Sequence, residues 1–100
     1  MYFVFSTFGK ESDAKKVAEK LVREKLATCI NLVPGVKSCY YWKRKFVRAD
    51  EVLLIMKCPE SKYKKLEKGL KQLHQYKLPE IVAFKSSKGL QSYLDWIEGK

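Results

Sequence analysis

The stretch CINLVPGVKSCYYWKRKFVRADEVLLIM, residues 29–56, predicts a long β-hairpin. Residues 29–33 suit one strand, which the Pro34-Gly35 pair interrupts with a bend or bulge. The chain then resumes as an aromatic-rich extended segment, and residues 43–45 suit the tip. The return strand starts with Phe46-Val47, is disturbed around residues 48–50, and then continues. Such a hairpin projects beyond a small sheet, and a neighbouring subunit is one means of pairing its exposed edge.

The segments on either side of the hairpin alternate between strand and helix. Residues 2–5 are a short apolar run typical of a strand, and residues 81–84 suit a last core strand. Apolar residues recur on one helical face over residues 14–26, with Ser12 or Asp13 as N-cap, and again after Pro59. A further helix follows near the C-terminus. The order β-α-β-β-α-β plus a C-terminal helix predicts an α+β, ferredoxin-like fold with an antiparallel sheet and both main helices on one face.

The length of the chain predicts a single domain, residues 1–100, and the lack of a recognisable targeting segment predicts a cytoplasmic location. No apolar run is long enough to cross a bilayer, so no membrane partner is expected, and the first residues lack the features of a signal peptide. The three cysteines, Cys29, Cys39 and Cys58, include no CxxC pair. Their number and spacing argue against a disulfide framework or structural zinc, and favour reduced thiols.

The net charge of +10 raises the alternative of a basic ferredoxin-like domain that binds nucleic acid non-specifically. RNA-recognition domains share this order of elements, but they carry stacking aromatic residues on their third strand. The corresponding run here, residues 52–56, is aliphatic, so nucleic acid is the less favoured partner. Salt-dependent contact at the basic hairpin tip stays open. Because no nucleophile–base pair or glycine-rich phosphate loop is present, we expect no enzymatic activity.

Several motifs together resemble one family. They are EKLATCINL (residues 24–32), SCYYW (38–42), EVLLIMK (51–57), HQYKLPEI (74–81) and YLDWI (93–97). In this order and spacing they are similar to the CutA family of divalent-cation tolerance proteins. The resemblance implies a cytoplasmic homotrimer, similar in architecture to PII signalling proteins, whose long hairpins pair across subunits. It also implies a non-enzymatic binding or signalling module linked to tolerance of copper and other divalent metals, with no obligatory cofactor.

The chain departs from the family pattern at two places. The family commonly has Glu-Gly after the tryptophan of the hairpin, where this chain has Lys43-Arg44, and Gln75 replaces the usual proline after His74. The resemblance also implies that copper-binding members use a cysteine, a histidine and a glutamate at the positions of Ser6, Leu73 and Glu80. Since copper prefers thiolate and imidazole ligands, we expect weak or absent copper binding.

The candidate metal ligands are Glu80 and His74, the only histidine. The plainer interpretation makes His74 an orienting hydrogen-bonding group and pairs Glu80 with a lysine. Aromatic walls with a few polar groups suit a small ligand, which predicts a pocket between subunits. The alternative is that these aromatic residues, with Trp96, simply fill the interface. The candidate pocket residues are Tyr41, Trp42, Lys57, His74, Tyr76 and Glu80.

Overall fold

The computed structural model describes all 100 residues. Four strands form one antiparallel sheet in the order β2-β3-β1-β4, which confirms the predicted α+β, ferredoxin-like class. None of the helices is long and apolar enough to cross a membrane. The elements are β1 (Tyr2–Phe8), α1 (Glu11–Arg23), β2 (Cys29–Trp42), β3 (Lys45–Cys58), a 3₁₀ turn (Glu60–Lys62), α2 (Tyr63–Leu73), β4 (Val82–Lys85) and α3 (Gln91–Glu98).

The predicted hairpin is the longest feature of the molecule. Strands β2 and β3 span 14 residues each and pair antiparallel, with Trp42 opposite Lys45 beside the turn. Because β1 pairs only with residues 52–58 of β3, residues 36–51 form a two-stranded extension, which we call the hairpin ribbon. At the usual rise of a strand the ribbon projects about 24 Å. It accounts for the elongated shape of the molecule, 46 × 25 × 22 Å.

The hairpin contains one irregularity, in β2. Pro34 and Gly35 together oppose a single residue of β3, which is a β-bulge as predicted. Gly35 has a φ of 75°, a conformation that glycine adopts without steric strain. The predicted disturbance around residues 48–50 is wrong, since these residues pair in register with residues 37–39. The only shift in register between β2 and β3 occurs at Pro34 and Gly35, so the pairing of the return strand is otherwise continuous.

The tip of the hairpin is a two-residue turn made by Lys43 and Arg44. Both residues have positive φ angles, 49° and 67°, as type I′ hairpin turns require. A side chain in this region is strained by about 1–2 kcal/mol, which asparagine and glycine largely avoid. The turn therefore has its hairpin geometry without the residues that usually favour it.

Replacing Arg44 with glycine is expected to stabilise the protein by about 1 kcal/mol, because the strain at φ 67° disappears. Chemical denaturation measures the change. Lys45→Gly, one residue further along and within β3, is the matched control and is expected to destabilise the strand. A loss of stability in Arg44→Gly equal to that of the control would contradict the strain at the turn.

Helix α1 differs from its predicted beginning, whereas the helical segment predicted after Pro59 is confirmed. Helix α1 begins at Glu11 with Lys10 as its N-cap and no side-chain cap, so the predicted capping by Ser12 or Asp13 is wrong. The reason is that only two residues separate the end of β1 from the start of α1, so Ser12 and Asp13 already lie within the first turn of the helix. Pro59 precedes the 3₁₀ turn that leads into α2, as its restricted φ favours.

Both helices pack on one face of the sheet and enclose the core. Alternate residues of the central strands point to the helices, and Val4, Leu54 and Met56 are completely buried there. Burial of a large apolar side chain contributes about 1.5–3 kcal/mol. The helices contribute the rest of the core, chiefly Ala14, Val17, Ala18, Leu21, Leu66 and Leu70.

The opposite face of the sheet carries no helix from α1 or α2, yet it is apolar. Strand β4 lies at its edge and confirms the predicted strand, but only one side of it belongs to the core: Ala83 packs there with Ile81, whereas Val82 and Phe84 are exposed. The Phe84 ring, 56% exposed, leans on that of Phe5 with 5.6 Å between centroids. We call this surface the open sheet face; its apolar residues are Phe3, Phe5, Leu53, Ile55, Val82 and Phe84.

Helix α3 closes the end of the sheet away from the hairpin ribbon. Its Ile97 is fully buried, and the hydroxyl of Thr28 donates a 2.6 Å hydrogen bond to the Ile97 carbonyl. Trp96, by contrast, is 53% exposed in the subunit. The predicted C-terminal helix is therefore confirmed, with one residue anchored and its tryptophan left at the surface.

Candidate functional site

The loop after α2 packs against the end of β1 through His74. The Nε2 atom lies 2.8 Å from the carbonyl oxygen of Thr7, and the Nδ1 atom accepts a 3.1 Å hydrogen bond from the Tyr76 backbone N–H. Nε2 therefore carries the proton and donates it to Thr7. The ring stacks on Phe8, with 4.1 Å between centroids. Both nitrogens of the buried ring are occupied, so His74 orients the loop and offers no free lone pair to a metal.

Burial also keeps His74 neutral. Loss of solvent lowers the pKa of the imidazole below its ordinary value of 6.5, against the opposing effects of the Thr7 hydrogen bond and the Glu51 carboxylate. A neutral ring suits its two hydrogen bonds, one donated and one accepted, because a charged imidazolium has no acceptor for the Tyr76 N–H.

A second contact, between Tyr76 and Glu51, lies at the base of the hairpin ribbon. The Tyr76 hydroxyl donates a 2.6 Å hydrogen bond to Oε2 of Glu51, whose residue is only 7% exposed. Burial and this carboxylate raise the pKa of Tyr76 well above its usual range. Gly9 makes room for the contact, because a Cβ there would lie 3.3 Å from the Tyr76 hydroxyl.

Glu51 is a functional candidate that sequence reasoning missed. No lysine or arginine of the chain forms an ion pair with it, although a buried carboxylate ordinarily has a cationic partner. The signal was available: strand alternation assigns Glu51 to the same face as Leu53 and Ile55, which makes it a charge at the end of an apolar row. What hid it was its position beside Asp50, directly after a segment predicted to be irregular.

Within one subunit the six predicted pocket residues do not meet. Tyr41 and Trp42 are at the exposed tip of the hairpin ribbon, while Lys57 is at the far end of β3. At the usual rise of a strand these two places are about 40 Å apart. His74 and Tyr76 lie together between them, with ring centroids 4.9 Å apart.

Glu80 is exposed and forms no ion pair with these groups. The predicted ion pair with a neighbouring lysine does not form, because no cationic nitrogen of the chain lies within 4.0 Å of its carboxylate. The chain also holds no group of three or more histidine, cysteine, aspartate or glutamate residues arranged to bind a metal. Glu80 and His74 therefore do not belong to such a group within the subunit.

A separate polar cluster surrounds Lys57 beside α3. Its ammonium donates a 2.7 Å hydrogen bond to Oδ1 of Asn31 and lies 4.0 Å from the sulfur of Cys29. The same nitrogen lies 5.8 Å from the ring centroid of Tyr93. An aromatic wall and an amide thus hold one cation at the end of the open sheet face.

Ser6 occupies the position where copper-binding relatives are expected to have cysteine. Its side chain is fully buried on the helix side of the sheet, and its hydroxyl has no hydrogen-bond partner. Leu73, at the second such position, packs against the core. A neutral hydroxyl, an aliphatic side chain and an exposed carboxylate do not make the donor set that copper prefers.

Ser6→Ala is expected to raise the free energy of unfolding by about 1–2 kcal/mol, because it removes a buried hydroxyl that makes no hydrogen bond. Thermal or chemical denaturation measures the gain. The matched control is Ser87→Ala, an exposed serine outside the regular elements, for which no change is expected. Destabilisation by Ser6→Ala would mean that the hydroxyl is hydrogen-bonded in solution.

Comparison with known proteins gives one consistent group. A sequence profile described as "CutA1 divalent ion tolerance protein" matches residues 2–100. The chain is 42% identical over 94 residues to the Thermus thermophilus divalent-cation tolerance protein CutA, covering 94% of this chain and 91% of that protein. It is 37% identical to the chloroplastic CutA protein of Arabidopsis thaliana, covering 95% of this chain but only 52% of the plant protein.

The fold comparison agrees with the sequence comparison. The solved structure of the divalent cation tolerance protein Cut A1 from Thermus thermophilus superimposes with a TM-score of 0.94 at 40% identity. The superposition covers 99% of this chain and 97% of that one. The long hairpin and the C-terminal helix are therefore included in the likeness.

Proposed function

The chain belongs to the CutA1 family of divalent ion tolerance proteins, and from this premise we propose that it acts as a homotrimeric, non-enzymatic binding or signalling module. Membership confirms the family predicted from the sequence motifs. The trimer, the clefts between its subunits and the nature of their ligand are the proposal. The observation that carries it is the open sheet face, because an apolar sheet surface must be covered in a stable protein.

The open sheet face supports self-association for two reasons. Its six apolar side chains come from three adjacent strands, so they form a continuous surface and not scattered residues. Large contiguous apolar surfaces in soluble proteins mark interaction sites. The hairpin ribbon adds a second reason, since an isolated two-stranded ribbon is only marginally stable in water. A second copy of the chain can cover the face and pair with the free edge of the ribbon.

Sedimentation equilibrium of the purified protein tests the assembly. The expected mass is three times the 11.7 kDa of the chain, unchanged by dilution and by moderate salt. A single species of 11.7 kDa would overturn the proposal, and a dimer would overturn its threefold form. The measurement needs no ligand, so its outcome does not depend on what the clefts bind.

The clefts between subunits are the proposed binding sites. Five of the six predicted pocket residues lie at three separate places along the subunit, so only a second copy can bring the tip residues beside His74 and Tyr76. Glu51 supports such a cleft, because a buried carboxylate with one tyrosine hydrogen bond retains acceptor capacity for a ligand or a partner residue. We propose a small ligand or a divalent cation as the occupant.

Copper binding is proposed to be weak in this member of the family. A calorimetric Cu(II) titration is expected to show no tight stoichiometric step, because His74 is fully hydrogen-bonded and Ser6 replaces the expected cysteine. Tight one-to-one binding that disappears in Glu80→Ala, but persists in the exposed control Glu11→Ala, would contradict this expectation.

A cytoplasmic location and the lack of enzymatic activity are proposed on the state of the cysteines and the names of the relatives. All three cysteines are free, as thiols are in a reducing compartment. Cys58 is fully buried, and burial raises the pKa of its thiol to about 11, which makes it a poor nucleophile at neutral pH. The names of the relatives indicate divalent-cation tolerance and no catalysed reaction.

A further inference from the structure

The two helices that cover the core differ in how their charged residues are arranged. Helix α1 has acidic residues in its first turn and basic residues in its last turn, the arrangement that its dipole favours. Three of its cations pair with acidic residues of α1 or of its C-cap, one turn away: Lys15 with Glu11, Lys20 with Glu24, and Arg23 with Glu19. The outer surface of α1 is therefore close to neutral.

Helix α2 has a basic residue, Lys71, in its last turn, but it departs from α1 in its first turn and in its ion pairs. Its first turn has no acidic residue and instead carries Lys64 and Lys65, next to the positive end of the helix dipole. Lys64 and Lys68 are one turn apart, a spacing at which like charges repel. The only carboxylate of α2, Glu67, accepts a hydrogen bond from the Tyr63 hydroxyl at 3.0 Å and pairs with no lysine. Departures from local rules without a structural gain point to function.

Three of the four exposed lysines of α2 form one ridge, which we define as Lys64, Lys68 and Lys71. Leu66 and Leu70 face the core, and at 100° per residue the three lysines lie on the opposite side of the helix. None of them has an ion-pair partner in the chain. From first to last the ridge extends about 10.5 Å, which is about three times the 3.4 Å axial spacing of phosphates along one strand of a duplex.

We infer that the lysine ridge of α2 is a docking surface for the phosphate backbone of double-stranded nucleic acid, bound without regard to sequence. Regularly spaced ammonium groups are suited to phosphates as point charges. The ridge has no exposed aromatic residue to stack on unpaired bases, which single strands require, and no apolar anchor for insertion into a membrane. It lies on the helix layer, opposite the open sheet face, so association through that face leaves it accessible.

The location differs from the one that the sequence leaves open. Sequence reasoning considered the hairpin tip, where Lys43 and Arg44 are exposed beside aromatic residues. The tip is part of the ribbon that is proposed to pair between subunits. The lysines of the ridge, by contrast, form no ion pairs and lie on a helix that is packed against the core. The inference does not rest on the proposed trimer, and a monomeric chain has the same ridge.

Fluorescence anisotropy with a short labelled DNA duplex, titrated at several salt concentrations, tests the inference. Neutralising three phosphates gives a slope of log affinity against log salt of about −2.7, or about a 40-fold loss between 50 and 200 mM salt. The triple variant Lys64→Gln, Lys68→Gln, Lys71→Gln is expected to lose nearly all of this slope. Glutamine keeps the helix propensity, and Lys68→Gln alone, expected to reduce the slope by about 0.9, serves if the triple variant does not fold.

Two matched variants remove the same amount of charge elsewhere. Lys15→Gln, Lys20→Gln, Arg23→Gln alters the paired cations of α1, and Lys43→Gln, Arg44→Gln, Lys45→Gln alters the hairpin tip; both are expected to keep the slope. An equal loss in either control would overturn the ridge as the site, as would an unchanged slope in the α2 variant. A tenfold preference between unrelated duplexes, or displacement by an acidic peptide as effective as unlabelled duplex, would overturn the assignment to the phosphate backbone.

Discussion

Replacing Phe84 with glutamate is expected to convert the proposed trimer into folded monomers. Phe84 belongs to the edge strand β4, and its ring is more than half exposed in the isolated subunit. The subunit therefore loses little from the change, since surface substitutions usually stay within about 0.5 kcal/mol. In the proposed assembly the same side chain is buried against other copies, and a buried unpaired charge costs far more than a subunit contact can offset.

The measurement is sedimentation equilibrium together with circular dichroism. The expected result is a mass of 11.7 kDa with the secondary structure of the parent protein. Val22→Glu is the matched control: it places the same charge at an exposed apolar position, but on α1, on the outer layer. The control is expected to stay trimeric. A trimeric Phe84→Glu protein would show that the open sheet face is not the interface.

Replacing His74 with phenylalanine is expected to destabilise the protein by about 2–3 kcal/mol. The phenyl ring keeps the stacking on Phe8 but loses both hydrogen bonds, leaving the Thr7 carbonyl and the Tyr76 N–H without partners. An unsatisfied buried group costs about 1–3 kcal/mol. Chemical denaturation measures the loss, and the exposed neighbour Gln75, changed to alanine, is the control that is expected to be silent.

The same variant tests the protonation state of His74. Its pKa in the folded protein lies below the ordinary 6.5, so as the pH falls the unfolded chain takes up a proton first. Stability is therefore greatest above pH 6.5 and decreases as the pH falls from there through the folded pKa. His74→Phe is expected to lack this component, since the chain has no other histidine. Identical pH profiles for the two proteins would contradict a neutral, buried His74.

The metal and structural roles of His74 make different predictions in these experiments. A histidine held for a metal is expected to stabilise the protein only when the metal is present, whereas a histidine that anchors the loop stabilises the metal-free protein. The stacking on Phe8 and the two backbone contacts favour the second role. If His74→Phe leaves the metal-free protein unchanged and abolishes a copper-induced gain in stability, the metal role is correct.

Patterns along the chain were sufficient for the fold and the family. The 3.6-residue spacing of the apolar residues in α1 and α2 and the long hairpin around Pro34 and Gly35 determined the order of elements, and hence the ferredoxin-like sheet. The motif around His74 indicated the same family as the comparisons. These features are local, because periodicity and turn residues act through neighbours in sequence. They can therefore be recognised from a single amino-acid sequence.

Tertiary structure alone decided which of these residues are available for function. The sequence shows His74 in a motif, but only the packing of the loop on β1 occupies both of its nitrogens. The sequence shows an apolar run at residues 81–84, but only the sheet order places it at an uncovered edge. In the sequence Glu51 is likewise an ordinary acidic residue. Only the fold shows that it is buried and hydrogen-bonded to Tyr76, 25 positions later. Local patterns specify which face of an element is apolar, whereas what covers that face depends on contacts between residues far apart in the chain.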